Sequence, residues 1–213
     1  MRMKRRTTVC CLATLLPLFM VGAFGCQTDQ SQEDPNRTYF DGGALQDPEP
    51  MTIVLTGRVL KSQGRVVEAE YILRRAMVEY PAFGPTYSEL GELLLKDGRT
   101  GEAISVLEVG ITELPKDALL HNDLGICLVV AGEFKRAADE FTSARNLVPT
   151  DATYTANLAM VMGLMGEYDA AIALYLEVIP TVEAHENVAV LAEARGDLGR
   201  AETDRAIAKR AAE

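Results

Sequence analysis

The sequence predicts an all-α solenoid, a stack of about five helix-turn-helix units, and three observations carry that prediction. Alanine and leucine dominate, Trp is absent and aromatics make up 6% of residues, which favours helices over sheets. From Pro50 onward the chain repeats itself every 34 residues. Pro81, Pro115 and Pro149 keep that spacing, as do Gly57, Gly91 and Gly125, then Gly64, Gly98 and Gly132, then Ala69, Ala103 and Ala137. A fixed period of this length marks an array whose units bury their apolar faces only against their neighbours. Within each unit, two runs with apolar residues three and four apart flank a glycine turn such as Lys96-Asp97-Gly98-Arg99.

Residues 1–25 read as an export signal. Met1 to Arg6 is basic, Val9 to Gly25 is almost wholly apolar, and small residues precede Cys26. The apolar stretch is short beside the roughly 20 residues of a membrane span, at the lower edge of about 17. Ala23-Phe24-Gly25-Cys26 resembles a bacterial lipobox, in which the Cys is lipidated and becomes the mature N-terminus. It departs from that pattern at Ala23, where Leu is preferred, and at Phe24, where a smaller residue is preferred. The alternatives are an ordinary cleavage site built on Ala23 and Gly25, or an uncleaved anchor. With Gln27 rather than Asp after the Cys, the resemblance implies a lipoprotein on the periplasmic face of the outer membrane, held by Cys26. Cys10 and Cys11 leave with the signal, so Cys127 alone remains to the folded part and no intrachain disulfide is expected there. Cys127 lies in an apolar helical run, as a small buried filler would.

Residues 26–49 are expected to be a disordered tether. They are rich in Asp, Gln, Pro and Gly and lack an apolar period. From Gln27 to Glu49 a flexible coil would reach roughly 25–30 Å.

The array follows as units 50–83, 84–117, 118–151, 152–181 and 182–213. Leu90-Gly91, Leu124-Gly125 and Leu158-Ala159 are the same step in successive units. Gly91 and Gly125 fall inside predicted helices, where Gly costs about 1 kcal/mol relative to Ala, so a close approach of the paired helix is expected there. Ala103 and Ala137 are the small residues of the second helices. The fourth unit keeps Gly166 and Ala171 in register but stops at Pro180, and the marks resume with Gly196 and Ala201, about one helical turn early.

The 34-residue length, the Leu-Gly pair, Tyr87, Ala103, Ala137, Phe141 and the terminal Pro together resemble the tetratricopeptide repeat over about three-quarters of the chain. The resemblance implies a right-handed solenoid whose first helices line a concave, peptide-binding face. Its slots carry over to Val54, Leu55 and Arg58; to Ser88, Glu89 and Glu92; to Asn122, Asp123 and Ile126; to Ala156, Asn157 and Met160; and to Glu186 and Asn187. Asn157 and Asn187 hold equivalent slots, so a ladder of Asn, joined by Asn122, could grip an extended peptide backbone; the alternative is that they are exposed polar residues. The mixture of acidic and apolar side chains fits a ligand with basic or apolar ones. Arg205 departs from the pattern where a large apolar residue is preferred, and the polar final helix suits an end that faces water.

Chemistry is expected to be absent. No phosphate-binding loop, H-E-x-x-H, G-x-S-x-G or C-x-x-C occurs. His121 is expected in core or groove packing and His185 on the surface, so neither a metal nor a cofactor is expected. The net charge of −10 argues against nucleic acid. Removing Arg2, Lys4, Arg5 and Arg6 from the 21 basic residues leaves 17 against 31 acidic ones. The expected function is a non-enzymatic protein-binding scaffold of the envelope. The plan of signal, tether and repeats resembles lipoproteins of tight-adherence (Flp) and type IV pilus assembly. The alternatives are an adaptor for peptidoglycan-remodelling enzymes and an enzyme with an unrecognised site.

Overall fold

The computed structural model describes residues 49–213, and the signal, Cys26 and the tether lie outside them except for Glu49. The described residues form ten helices and no strand. They are α1 (Pro50–Ser62), α2 (Val66–Glu79), α3 (Gly84–Lys96), α4 (Thr100–Glu113), α5 (Ala118–Val130), α6 (Phe134–Leu147), α7 (Ala152–Met165), α8 (Tyr168–Tyr175), α9 (Thr181–Ala194) and α10 (Leu198–Ala211). Each odd-numbered helix packs on the even one that follows it, and each even one on the next odd one. The result is an α-solenoid of tetratricopeptide-like hairpins. Odd helices also meet one another, α1 on α3, α3 on α5 and α7 on α9.

The hairpin turn is built the same way five times. Gly64, Gly98, Gly132, Gly166 and Gly196 all take positive φ between 75° and 89°. The amide one residue further on then donates to a carbonyl five residues back, as from Arg99 to Leu94 (2.9 Å) and from Glu133 to Leu128 (2.8 Å). Asp117 and Asp151 cap α5 and α7 by accepting from backbone amides of the first turn.

The close helix approach comes from the interior glycines. A Cβ on Gly125 would stand 2.6 Å from the Phe141 ring, and one on Gly91 3.0 Å from Leu107. The residue against each glycine is therefore the large one four positions after the alanine. Ala103 and Ala137 are themselves fully buried. A continuous core of Leu73, Leu90, Leu94, Leu107, Leu120, Leu128 and Phe141 runs through α1–α6 and reaches Leu158 and Val161 of α7. Beyond it the core changes character: Ala159, Ala171, Tyr175, Ala184 and Val188 form one cluster, and Ala189, Ala192 and Ala201 another. The lost turn falls on α8, which has 8 residues where α6 has 14.

The two histidines occupy one register position. His121 is buried, with Nδ1 2.7 Å from Glu140 Oε2 and Nε2 3.2 Å from the Pro115 carbonyl. Tyr87, one repeat earlier, reaches the matching Pro81 carbonyl with its hydroxyl at 2.9 Å. His185, expected on the surface, instead has a side chain only 12% exposed, with Nδ1 2.8 Å from Asp204 Oδ1. The cause is Asp204, which is almost fully buried and draws both His185 and Arg200 inward.

Candidate peptide-binding face

The first helices of three successive hairpins, α1, α3 and α5, bring six of the expected site residues around one cavity of about 210 Å³. These are Arg58, Ser88, Glu89, Glu92, Asp123 and Ile126. Leu95, Leu107 and Cys127 complete it. Leu95 and Cys127 were legible only as helical apolar positions, without a signal that placed them at a site.

The charges on this face are unequal in their circumstances. Glu89 is 4% exposed and receives the Arg58 Nε (2.6 Å) and the Lys61 Nζ. Glu92 is open to solvent and pairs with Lys96 and with Lys61 (3.0 Å), and the Lys96 contact leads in holding its carboxyl below the usual range. Asp123 makes no ion pair among the described residues; the Asn122 amide stands 3.4 Å from its Oδ1. Burial raises the Asp123 carboxyl above its ordinary value, Asp117 and Glu92 add to the rise, and Ser88 and Asn122 oppose it. Burial, then Asp123, pushes the Cys127 thiol up to about 11. A thiol that stays protonated at neutral pH is a poor nucleophile, so Cys127 is a packing residue.

Other expected residues lie elsewhere. Val54 is fully buried and offers nothing to a ligand, because its slot on α1 turns into the core. Leu55 is 49% exposed but does not line the cavity. Asn157 donates to Asn122 Oδ1 at 2.7 Å, so these two close on each other across α5 and α7. Asn122 is buried, Asn157, Ala156 and Met160 are half-buried, and Glu186 and Asn187 are exposed on α9. Among the described residues no three potential metal ligands stand together, and no helix is long and apolar enough to cross a membrane.

A family model described as tetratricopeptide repeat matches residues 88–152. That stretch is similar to the tetratricopeptide repeat. It holds the second and third hairpins and with them most of the cavity. Solved structures are similar over a longer span. A crystal structure of MamA is 22% identical, with a TM-score of 0.59, over 73% of this chain and 93% of that one. YrrB, described as a TPR protein with an unusual peptide-binding site, is 18% identical with a TM-score of 0.59, over 76% and 86%. A thermophilic TPR protein of Thermus thermophilus is 22% identical with a TM-score of 0.53, over 76% and 91%. Likeness at these identities speaks for the fold. No curated protein matches the chain.

Proposed function

We propose that this chain is a non-enzymatic, protein-binding scaffold of the bacterial envelope that assists assembly of a pilus or secretion complex. The observation that carries the binding role is the cavity between α1, α3 and α5, where acidic and apolar side chains share one surface. An extended peptide laid across successive first helices would meet that surface with alternate side chains. The description of YrrB as a peptide-binding repeat protein of the same fold supports this reading. The envelope setting rests on the signal pattern of residues 1–25, and the anchor on Cys26.

The test is a pull-down from cross-linked host membranes with the full chain tagged at its C-terminus, read by mass spectrometry. Secretin, pilin or pilus-ATPase components are the expected partners. Peptidoglycan hydrolases or synthases in their place would replace the assembly role by the adaptor role. The paired substitution Asn157→Ala with Asn187→Ala should lower partner recovery while leaving the helical spectrum intact, and unchanged recovery would remove these Asn from the binding face. A Cys26→Ser chain should leave the membrane fraction, and one that stays there was not lipid-anchored.

A further inference from the structure

The cavity stands where the array itself binds a cation one repeat earlier. Between α1 and α3, the buried Glu89 is neutralised by Arg58 and Lys61. Thirty-four residues on, the positions of Arg58, Lys61 and Glu89 hold Glu92, Leu95 and Asp123. The acid persists while both cations have gone. A further 34 residues on, the same three positions hold Ile126, Val129 and Asn157. There the cations are absent and the acid is a neutral amide, bonded to Asn122. Only the middle step keeps a carboxylate and no counter-ion. A carboxylate withdrawn from water without a partner is costly, and an opposite charge beside it recovers much of that cost.

A second observation points the same way. The Ser88 hydroxyl, which lines the cavity, is shut off from solvent and closes no hydrogen bond of its own, although it lies near Asp123. It is free to accept from a donor that enters. Ile126 and Leu95 supply the apolar wall that a long aliphatic stem needs. At about 210 Å³ the space is below the usual range for a small-molecule site and fits the end of one side chain.

We propose that this cavity is a recognition pocket for one cationic side chain, lysine or arginine, of a bound partner peptide, with Asp123 as its counter-ion. The inference rests on the reading of this face as peptide-binding. The partner's ammonium or guanidinium takes the place that Arg58 and Lys61 hold against Glu89, its stem lies along Ile126 and Leu95, and Ser88 accepts a further N–H. Specificity follows from the same geometry: a neutral side chain of equal length would fill the space and leave Asp123 unpaired.

The full chain panned against a library of random 12-residue peptides tests this. Enriched peptides should carry a Lys or Arg, and replacing it with norleucine should weaken binding at least about tenfold. Asp123→Asn, nearly the same shape, should remove the preference for the basic residue. Glu92→Arg places, at an exposed position, the guanidinium that Arg58 provides one repeat earlier; although it gives up the Glu92 pairs with Lys61 and Lys96, it should block basic peptides. Peptides without basic enrichment that are still lost on Ile126→Lys would overturn the cationic pocket and leave the peptide-binding face standing. No enrichment at all, or peptides indifferent to Ile126→Lys, would overturn both.

Discussion

The first three hairpins and the last two solve one packing problem with different chemistry. In α1–α6 the step is a helix glycine under a large side chain, Gly57 under Leu73, Gly91 under Leu107 and Gly125 under Phe141. In α7–α10 the glycine position holds Ala159 and Ala189, and the large partner is Tyr175 and then Arg205, which is half-exposed and pairs with Glu193 instead of filling the core. Alanines and a buried polar group replace the aliphatic seam. His185 and Arg200 close on Asp204, Arg200 also reaches Asp169 at 2.8 Å, and its guanidinium lies 5.3 Å from the Tyr168 ring. The repeat register therefore survives the loss of its core. What the family-like spacing specifies is where helices meet, and the local residues decide what holds them there.

Breaking the aliphatic seam should have the largest effect. Phe141 is fully buried against Gly125, so Phe141→Ala leaves both the ring's volume and the glycine's gap unfilled. The expected cost is about 3–5 kcal/mol. Urea unfolding followed by circular dichroism should show a lower midpoint, and because one core runs through α1–α6, the loss should be felt in all three hairpins. A loss confined to the third hairpin in hydrogen exchange would show that the seam is divided.

The contrast also explains what could be read from the chain in advance. The hairpins, the turns and the shortened fourth unit follow from Gly, Pro and Ala at fixed spacing, because each of those residues dictates backbone or closest approach. Arg205 was legible as a departure for the same reason. The role of His185 was not, because it depends on Asp204 nineteen residues away, and nothing in a helical stretch of Arg, Ala and Glu distinguishes a buried acid from an exposed one. At the binding face the slots came from the repeat frame, which brought six residues to one cavity but put Val54 among them although its side chain is interior. Slot positions repeat; the identity of the neighbour on the next hairpin, which decides whether Glu89 is paired and Asp123 is not, has to be seen in three dimensions.

The polar centre of the last two hairpins can be separated from the seam by removing one of its members. Arg200→Ala leaves Asp204, 1% exposed, with only His185. A lost charge-assisted hydrogen bond to a buried acid costs about 2 kcal/mol. The expected result is faster amide exchange in α9 and α10 with α1–α6 unchanged. Equal acceleration throughout would mean that the two regions unfold as one, and that the change of core chemistry does not divide the array.

The smallest effect is expected where charge lies outside both cores. Glu70 on α2 bridges to Arg99, which opens α4, and to Arg74 on its own helix, a network that ties the first hairpin to the second at partly exposed positions. The Arg99 contact leads in holding the Glu70 carboxyl below its ordinary value. A depressed carboxyl contributes stability that is present above its unfolded pKa and lost as pH falls through the folded one. Glu70→Gln should therefore be slightly less stable than the parent at neutral pH, and the gap should close as pH falls below the usual carboxylate range of about 4. Salt should shrink the neutral-pH gap too, since the pair is partly open to solvent. Thermal unfolding of both chains at neutral and acid pH reads this directly. A gap that persists in acid would assign the effect to packing of the Glu70 stem, and the first hairpins would then differ from the last in their aliphatic seam alone.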